Sequence, residues 1–353
     1  MIELFQVKPA DRTFYAAHLR DFLPDRIIDV HTHVWLDKFK TKATNAPVRT
    51  VSWPARVALD NSVEDLDETY RLLLPGKRVI PQIFSNLATG DDVDGANAYT
   101  SACAQLRGYP ALIFAAPQWA AHELENRILA GNFLGAKVYM TMADASIPAG
   151  EMRIFDYLPH EQLEVLNRHA WIAMLHIPRD GRLKDPLNLA QMLEIERRYP
   201  DVQLIIAHVG RAYCPEDVGD AFEVLSSTRH MRFDFSANTN PDVFAHLIRA
   251  IGPRRILFGS DMPILRMRMR RICEDGRYIN LVPPGLYGDV SGDKNMREVR
   301  SAAAETLTFF MYEELAAFMR AAEVTGLTRA DIDDVFYGNA VKMLRAAGFG
   351  GEL

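Results

Sequence analysis

The chain has 353 residues, 48% hydrophobic and 24% charged, the proportions of a soluble globular protein able to bury a large core. Its net charge of -6, with lysines and arginines scattered along the length, argues against a nucleic-acid or membrane partner. Three widely spaced cysteines, Cys103, Cys214 and Cys273, suit reduced thiols in the cytoplasm better than a disulfide framework. No apolar run is long enough to span a bilayer, and the mixed charges of residues 1–22 lack the apolar core of a secretory signal.

The opening segment, residues 1–26, carries Phe14, Leu19, Phe22 and Leu23 on an apolar side and is broken by Pro24. Residues 27–33 then form a short apolar strand ending in His31-Thr32-His33. Successive strand side chains alternate, so both imidazoles project the same way. A long polar stretch, 34–61, precedes a helix opened by the capping sequence Ser62 to Asp65. Strand and helix then alternate. Strands are expected at 78–84 (Pro81 being awkward there), 111–116, 134–140, 171–176, 202–208, 231–236 and 255–261. Helices are expected between them at about 93–107, 120–130, after Pro159, 185–199, 215–226 and 241–251. A last helix over 296–322 and a closing helix over 328–346, opened by the capping box Thr328 to Asp331, finish the chain.

Eight short apolar strands separated by helices imply an α/β protein with a parallel sheet covered by helices, and the number eight favours a (β/α)8 barrel over residues 27–322. A single domain over 1–353 is expected. The surplus length after strand one, at 141–157 and at 262–295, falls in long loops over the C-terminal face, where such barrels keep their sites.

Polar residues end five of the strands: His31 with His33, Lys137, His176, His208 and Asp261. A barrel brings these ends to one axis. Imidazole nitrogens and a carboxylate with one open position are what a catalytic divalent ion requires. Each residue alone has an ordinary reading, as a core histidine, a helix cap or an ion-paired lysine. Together they form a constellation that such readings explain poorly.

His31-Thr32-His33, His176, His208 and the run Phe258-Gly259-Ser260-Asp261 resemble the metal-site signature of the amidohydrolase superfamily. The resemblance is closest to the branch containing aminocarboxymuconate semialdehyde and γ-resorcylate decarboxylases, and Tyr337-Gly338-Asn339-Ala340 with Met343-Leu344 is similar to that branch's C-terminal helix. It covers about residues 27–344. The resemblance implies that His31, His33, His176 and Asp261 hold one divalent metal, with zinc expected, and that His208 and Asp261 act as acid/base groups. It also leaves an alternative in which Lys137, carbamylated, bridges a second ion. The activity implied is hydrolysis of a small carbonyl compound, a lactone, amide or ester, by an activated water. The runner-up is a lyase, a non-oxidative decarboxylase or hydratase of a carboxylated aromatic or muconate-like compound. A silent barrel kept for binding or assembly is a third reading, opposed by the complete ligand set.

Lys137, Arg179 and Arg211 are candidates for holding a substrate carboxylate, each arginine lying three residues beyond a strand-end histidine. The run Arg266-Met267-Arg268-Met269-Arg270-Arg271 reads as a solvated face or subunit contact, consistent with a homodimer, before it reads as a substrate path. Trp35 and Trp53 are expected to pack under the first long loop, Asn238 and Asn240 to shape a turn, and Cys214 is not a nucleophile. The expected ligand is a small molecule.

Overall fold

The structure, a computed structural model, describes residues 4–41, 54–300 and 302–353. Eight parallel strands follow the expected order: β1 (Arg26–His33), β2 (Arg78–Phe84), β3 (Ile113–Phe114), β4 (Gly135–Val138), β5 (Ile172–Leu175), β6 (Gln203–Ile206), β7 (Arg232–Asp234) and β8 (Ile256–Leu257). β3 to β8 form one continuous sheet and β1 pairs with β2. Backbone bonds join the two sheets into a (β/α)8 barrel. The Ile83 amide donates to Pro110 at 2.9 Å and Leu112 to Ile83 at 3.0 Å, while Val30 donates to Phe258 at 3.0 Å and His33 to Met262 at 2.8 Å.

The barrel interior is a buried cluster of Ile28, Val30, Ile80, Phe84, Leu112, Ile172, Met174, Ile205 and Leu257. Met343 and Leu344, from the closing helix Asn339–Ala346, belong to the same cluster. Outward-facing residues pack with the surrounding helices in a larger cluster. This two-sided burial explains why the strands read as nearly unbroken apolar runs.

The alternation in β1 contains a decisive irregularity. Ile28 pairs with Ile80 and Asp29 with Pro81, but Thr32 pairs with Ile83, so β1 carries one extra residue between Asp29 and Thr32. Without it, the parity that puts Ile28 and Val30 inside the barrel would send His31 and His33 outward. The bulge reverses their face. Asp29 serves it directly, its Oδ1 accepting from the amides of His31 at 3.1 Å and Ser260 at 2.9 Å. Pro81, which has no amide hydrogen, sits opposite the break, the position a strand proline tolerates.

Several expectations need correction. Residues 296–322 are not one helix: Met296–Glu298 is a strand, β11, and the helix spans Phe310–Thr325. β11 joins a small sheet with β9 (Arg270–Glu274) and β10 (Arg277–Val282), so the long loop after β8 carries an antiparallel hairpin. The expected helix over 215–226 is split into Pro215–Asp217 and Ala221–Leu225. The arginine run is not a solvated face, since Arg266 and Arg268 are buried. Nor are all the cysteines free: Cys214 and Cys273 form a disulfide with Cα atoms 5.9 Å apart, and Cys103 is a buried thiol. Spacing along the chain hides this pair because a loop after β6 and a hairpin after β8 meet only in the folded barrel. Among the described residues no helix is long and apolar enough to cross a membrane.

Arg268 explains why the arginine run folds inward. Its guanidinium makes a two-pronged ion pair with Asp11, at 2.9 and 2.7 Å, and donates to the Leu307 carbonyl at 2.7 Å. The pair ties the N-terminal helix Pro9–Phe14 to the chain beyond β8. Asp11→Ala would strand a buried cation, so urea unfolding is expected to show a loss of about 3–5 kcal/mol. A change below about 1 kcal/mol would show that the pair is dispensable.

Candidate metal centre

At the C-terminal mouth of the barrel, His31, His33, Lys137, His176, His208, Arg211 and Asp261 line one cavity of about 130 Å³. All six strand-end residues predicted from sequence, carried by five strands, therefore converge, together with Arg211. Arg179 does not. Its Nε donates to Asp185 at 3.0 Å, and Asp185 also caps the helix Pro186–Arg198, so this arginine is held away by a local acid.

His31, His208 and Asp261 can each offer one donor atom with all three atoms within 4.8 Å of one another. Asp261 Oδ1 also lies 3.2 Å from His33 Nε2 and 3.5 Å from His31 Nε2. The His176 ring stands 5.0 Å from His208 by centroid, and His208 stands 4.8 Å from His31.

Second partners fix these rings. His31 Nδ1 is 3.0 Å from Asp234 Oδ2, His33 Nδ1 is 3.2 Å from the Ser85 carbonyl, and His208 Nδ1 is 3.1 Å from the Ser236 carbonyl. In each case an acceptor holds Nδ1–H and leaves the Nε2 lone pair, the arrangement typical of metal-ligating histidines. His176 Nδ1 is buried without a hydrogen-bond partner among the described residues. Burial lowers the pKa of all four histidines, that of His31 to about 3, so they are held neutral, as ligands must be. Burial alone would raise Asp261, but the surrounding imidazoles outweigh it and keep the carboxyl ionised. Neutral imidazoles around an ionised carboxylate fit a divalent cation.

Asp234, at the end of β7, was not anticipated. Beyond its bond to His31, its Oδ1 accepts from the His208 amide at 2.9 Å and the Ser236 amide at 3.1 Å. It thus fixes one ring directly and another through its backbone. His208, Val209, Gly210 and Arg211 all adopt left-handed conformations, with φ between 51° and 61°. That is costly for valine above all, and the anchor at the His208 amide helps to hold it. Asp261 is also left-handed, at φ 53°, with its amide donating to the His31 carbonyl at 2.7 Å. Gly259 answers a different need, since a Cβ there would stand 2.8 Å from His31 Cβ.

The remaining wall is aromatic and basic. Tyr139, Tyr213 and Tyr278 were also missed, and Arg271 takes the substrate-path reading that its run ranked second; all four line the cavity. Lys137 is buried with Nζ 5.2 Å from the Phe84 ring centre and 5.6 Å from that of Tyr139, and its ammonium makes no hydrogen bond among the described residues. Burial lowers its pKa to about 8, opposed by the charges of Asp234 and Asp261. Arg211 Nη1 donates to the carbonyls of Pro178 at 2.9 Å and Arg179 at 3.2 Å. Trp35 is buried with Nε1 on the Leu59 carbonyl, whereas Trp53 lies outside the described residues. Asn238 and Asn240 shape the turn, Asn240 capping the helix Pro241–Ile251.

The amidohydrolase family matches residues 28–276, well over half of the chain. No curated protein matches it by sequence. Among solved structures it resembles a zinc-bound amidohydrolase from Burkholderia multivorans, at 14% identity and TM-score 0.56, over 91% of this chain and 98% of that one. A dihydroxybenzoic acid decarboxylase from Polaromonas, bound to manganese and 2-nitroresorcinol, is similar at 16% identity and TM-score 0.52, over 91% and 97%. A probable 2-pyrone-4,6-dicarboxylic acid hydrolase from Acinetobacter baumannii, with citric acid bound, matches at 14% and TM-score 0.51, over 90% and 99%. At these identities the likeness is one of fold.

Asp234→Asn would set an amide against His31 Nδ1–H and remove the charge behind the ring. Metal titration is expected to show an affinity loss of about 10- to 100-fold with the circular dichroism of the wild type. Unchanged affinity would mean that Asp234 serves only the backbone.

Proposed function

The chain belongs to the amidohydrolase family, and on that premise we propose that this enzyme is a metal-dependent hydrolase of a small carbonyl compound (a lactone, amide or ester) bearing a carboxylate. The observation that carries the reading is the convergence of Asp261 Oδ1 on the paired imidazoles, 3.2 Å from His33 Nε2 and 3.5 Å from His31 Nε2, with His208 beside them. The cavity, at about 130 Å³, approaches the volume that holds a six-membered ring, so a single-ring substrate suits it.

His31, His33, His176 and Asp261 would hold one divalent cation, with zinc favoured by the nitrogen-rich set. When bound, that ion supplies Lewis acidity toward water and the substrate oxygen. Asp261 accepts a proton from the attacking water and returns it to the leaving group. His208, whose Nδ1 is committed to Ser236, presents a neutral Nε2 to the reacting atoms and exchanges a proton there as acid/base partner. Lys137 and Arg211 bind the carboxylate.

The same groups support a second reading, decarboxylation or hydration of a carboxylated ring, which the basic wall and ring-sized volume favour equally. There Asp261 or His208 delivers a proton to ring carbon. Assays of lactones against hydroxybenzoates in ¹⁸O-water divide the two. Label in a product whose lactone, amide or ester bond is cleaved is expected for the hydrolase, whereas carbon dioxide release with no label in the organic product, or label gained by addition with no such bond cleaved, transfers the assignment to the lyase.

One metal per chain is expected after purification with bicarbonate, and two equivalents would favour a bridge through carbamylated Lys137. His208→Asn should keep the metal and lower kcat by about 100-fold or more, while His176→Asn should lose the metal. Metal loss in His208→Asn would instead make His208 a ligand.

Lys137 sets a pH dependence. Its ammonium persists below about pH 8 and is lost above it, so binding of an anionic substrate should weaken as pH rises through that value. Lys137→Met should remove that limb of the kcat/KM profile. A limb that survives the substitution belongs to another group.

A further inference from the structure

Arg271 lies outside the barrel, on the hairpin β9–β10, yet it lines the cavity of the metal centre. It pairs across the hairpin with Asn280, and Cys273 pairs with Tyr278. Strand parity places these four residues on one face of the hairpin. The guanidinium carbon stands 4.8 Å from the Tyr213 ring centre, 4.4 Å from Tyr278 and 4.6 Å from Phe310. Nε donates to Asn280 Oδ1 at 2.9 Å, and Nη1 donates to the Ala237 carbonyl. Rings and two bonds therefore fix the guanidinium, while Nη2 has no partner among the described residues.

Two neighbouring arginines are matched by acids, Arg179 by Asp185 and Arg182 by Asp217 at 2.6 Å, whereas Arg211 on the cavity wall donates to backbone carbonyls. Arg271 has no carboxylate within ion-pair distance among the described residues. A half-buried cation held by rings and two neutral acceptors, with one guanidinium nitrogen free at a cavity, is placed to take an anion from that cavity. The disulfide bears on the same wall, because Cys214 follows Tyr213 directly and Cys273 lies two residues beyond Arg271. It fastens the loop that carries one stacking ring to the hairpin that carries the arginine and the other ring.

We propose that Arg271 determines substrate specificity by binding a substrate carboxylate in this cavity, and that the Cys214–Cys273 disulfide holds it in the binding position. The inference rests on the cavity being the active site for a small ring compound, as proposed above. It extends that reading to a substrate with a second anionic group, beyond the one Lys137 and Arg211 receive.

The test uses metal-loaded protein and two probes of one shape, benzene-1,3-dicarboxylate and its uncharged diamide, with Kd measured by calorimetry. Wild type is expected to prefer the dicarboxylate. Arg271→Gln should weaken dicarboxylate binding about tenfold or more and leave the diamide within about twofold, and Arg271→Lys should recover part of the loss. The double variant Cys214→Ser/Cys273→Ser should weaken the dicarboxylate severalfold with metal stoichiometry unchanged. The proposal is overturned by a wild type that does not distinguish the probes, by an Arg271→Gln variant with wild-type affinity or an equal loss for both probes, or by tight dicarboxylate binding without the disulfide. Binding is read without turnover, so failure of every hydrolase and lyase substrate would leave this result standing on its own.

Discussion

Asp234 is a fully buried carboxylate whose two oxygens serve two histidines at once. One oxygen takes the Nδ1 side of His31 and the other takes the backbone amides of His208 and Ser236. Burial by itself would drive its proton on. The imidazoles of His31 and His208 and the Ser236 hydroxyl outweigh that, and its pKa falls below the usual carboxylate range. A charge this deep is tolerable only when every lone pair is engaged, so the site and the anion stabilise each other. Removing either leaves the other wrongly placed. The left-handed turn after β6, the orientation of His31 and the end of β7 all lean on one residue.

The bulge in β1 is a second constraint of the same kind. An inward-facing pair of histidines and an inward-facing apolar pair just before them cannot both satisfy strict alternation. The chain resolves the conflict with one extra residue, and Asp29 supplies the acceptor that the displaced amides of His31 and Ser260 need. Gly259 belongs to the same solution, because bringing Asp261 to His31 requires a close pass where any side chain would collide. The Phe258-Gly259-Ser260-Asp261 run therefore has a physical reading. The glycine clears His31, the Ser260 amide engages Asp29, and the carboxylate of the last residue meets the imidazoles of His31 and His33.

Much of this was legible in the sequence because apolar strand runs mark their own ends. His176 and His208 each close such a run, and in a barrel the ends of strands are neighbours whatever their separation. Asp234 was hidden by the opposite property: β7 alternates, and an acid in an alternating strand reads as its solvent face. Arg271 was hidden inside a charge run that ordinarily signals exposure, yet Arg268 is drawn in by Asp11 and Arg271 by aromatic rings. The disulfide was hidden by arithmetic, since three cysteines do not announce a pair. Arg179 went the other way. Its spacing from His176 matches that of Arg211 from His208, but a nearby acid, Asp185, decided its place.

The charges around the cavity give one further step. Asp234 and Asp261 are the ionised acids at its base, and four imidazoles are held neutral by burial. Lys137, Arg211 and Arg271 line the same space, so basic groups already outnumber acids before any cation is added. A bound divalent ion would deepen that excess in a region whose rings and aliphatic walls screen it poorly. A neutral substrate would leave the imbalance in place, whereas one with two carboxylates would relieve it. On the proposed reading, electrostatics thus argues for a doubly charged ring compound regardless of whether water or a proton is delivered to it. Chemistry at the metal and recognition at the wall are then separable functions, the first held by the barrel strands and the second by a hairpin fastened onto them.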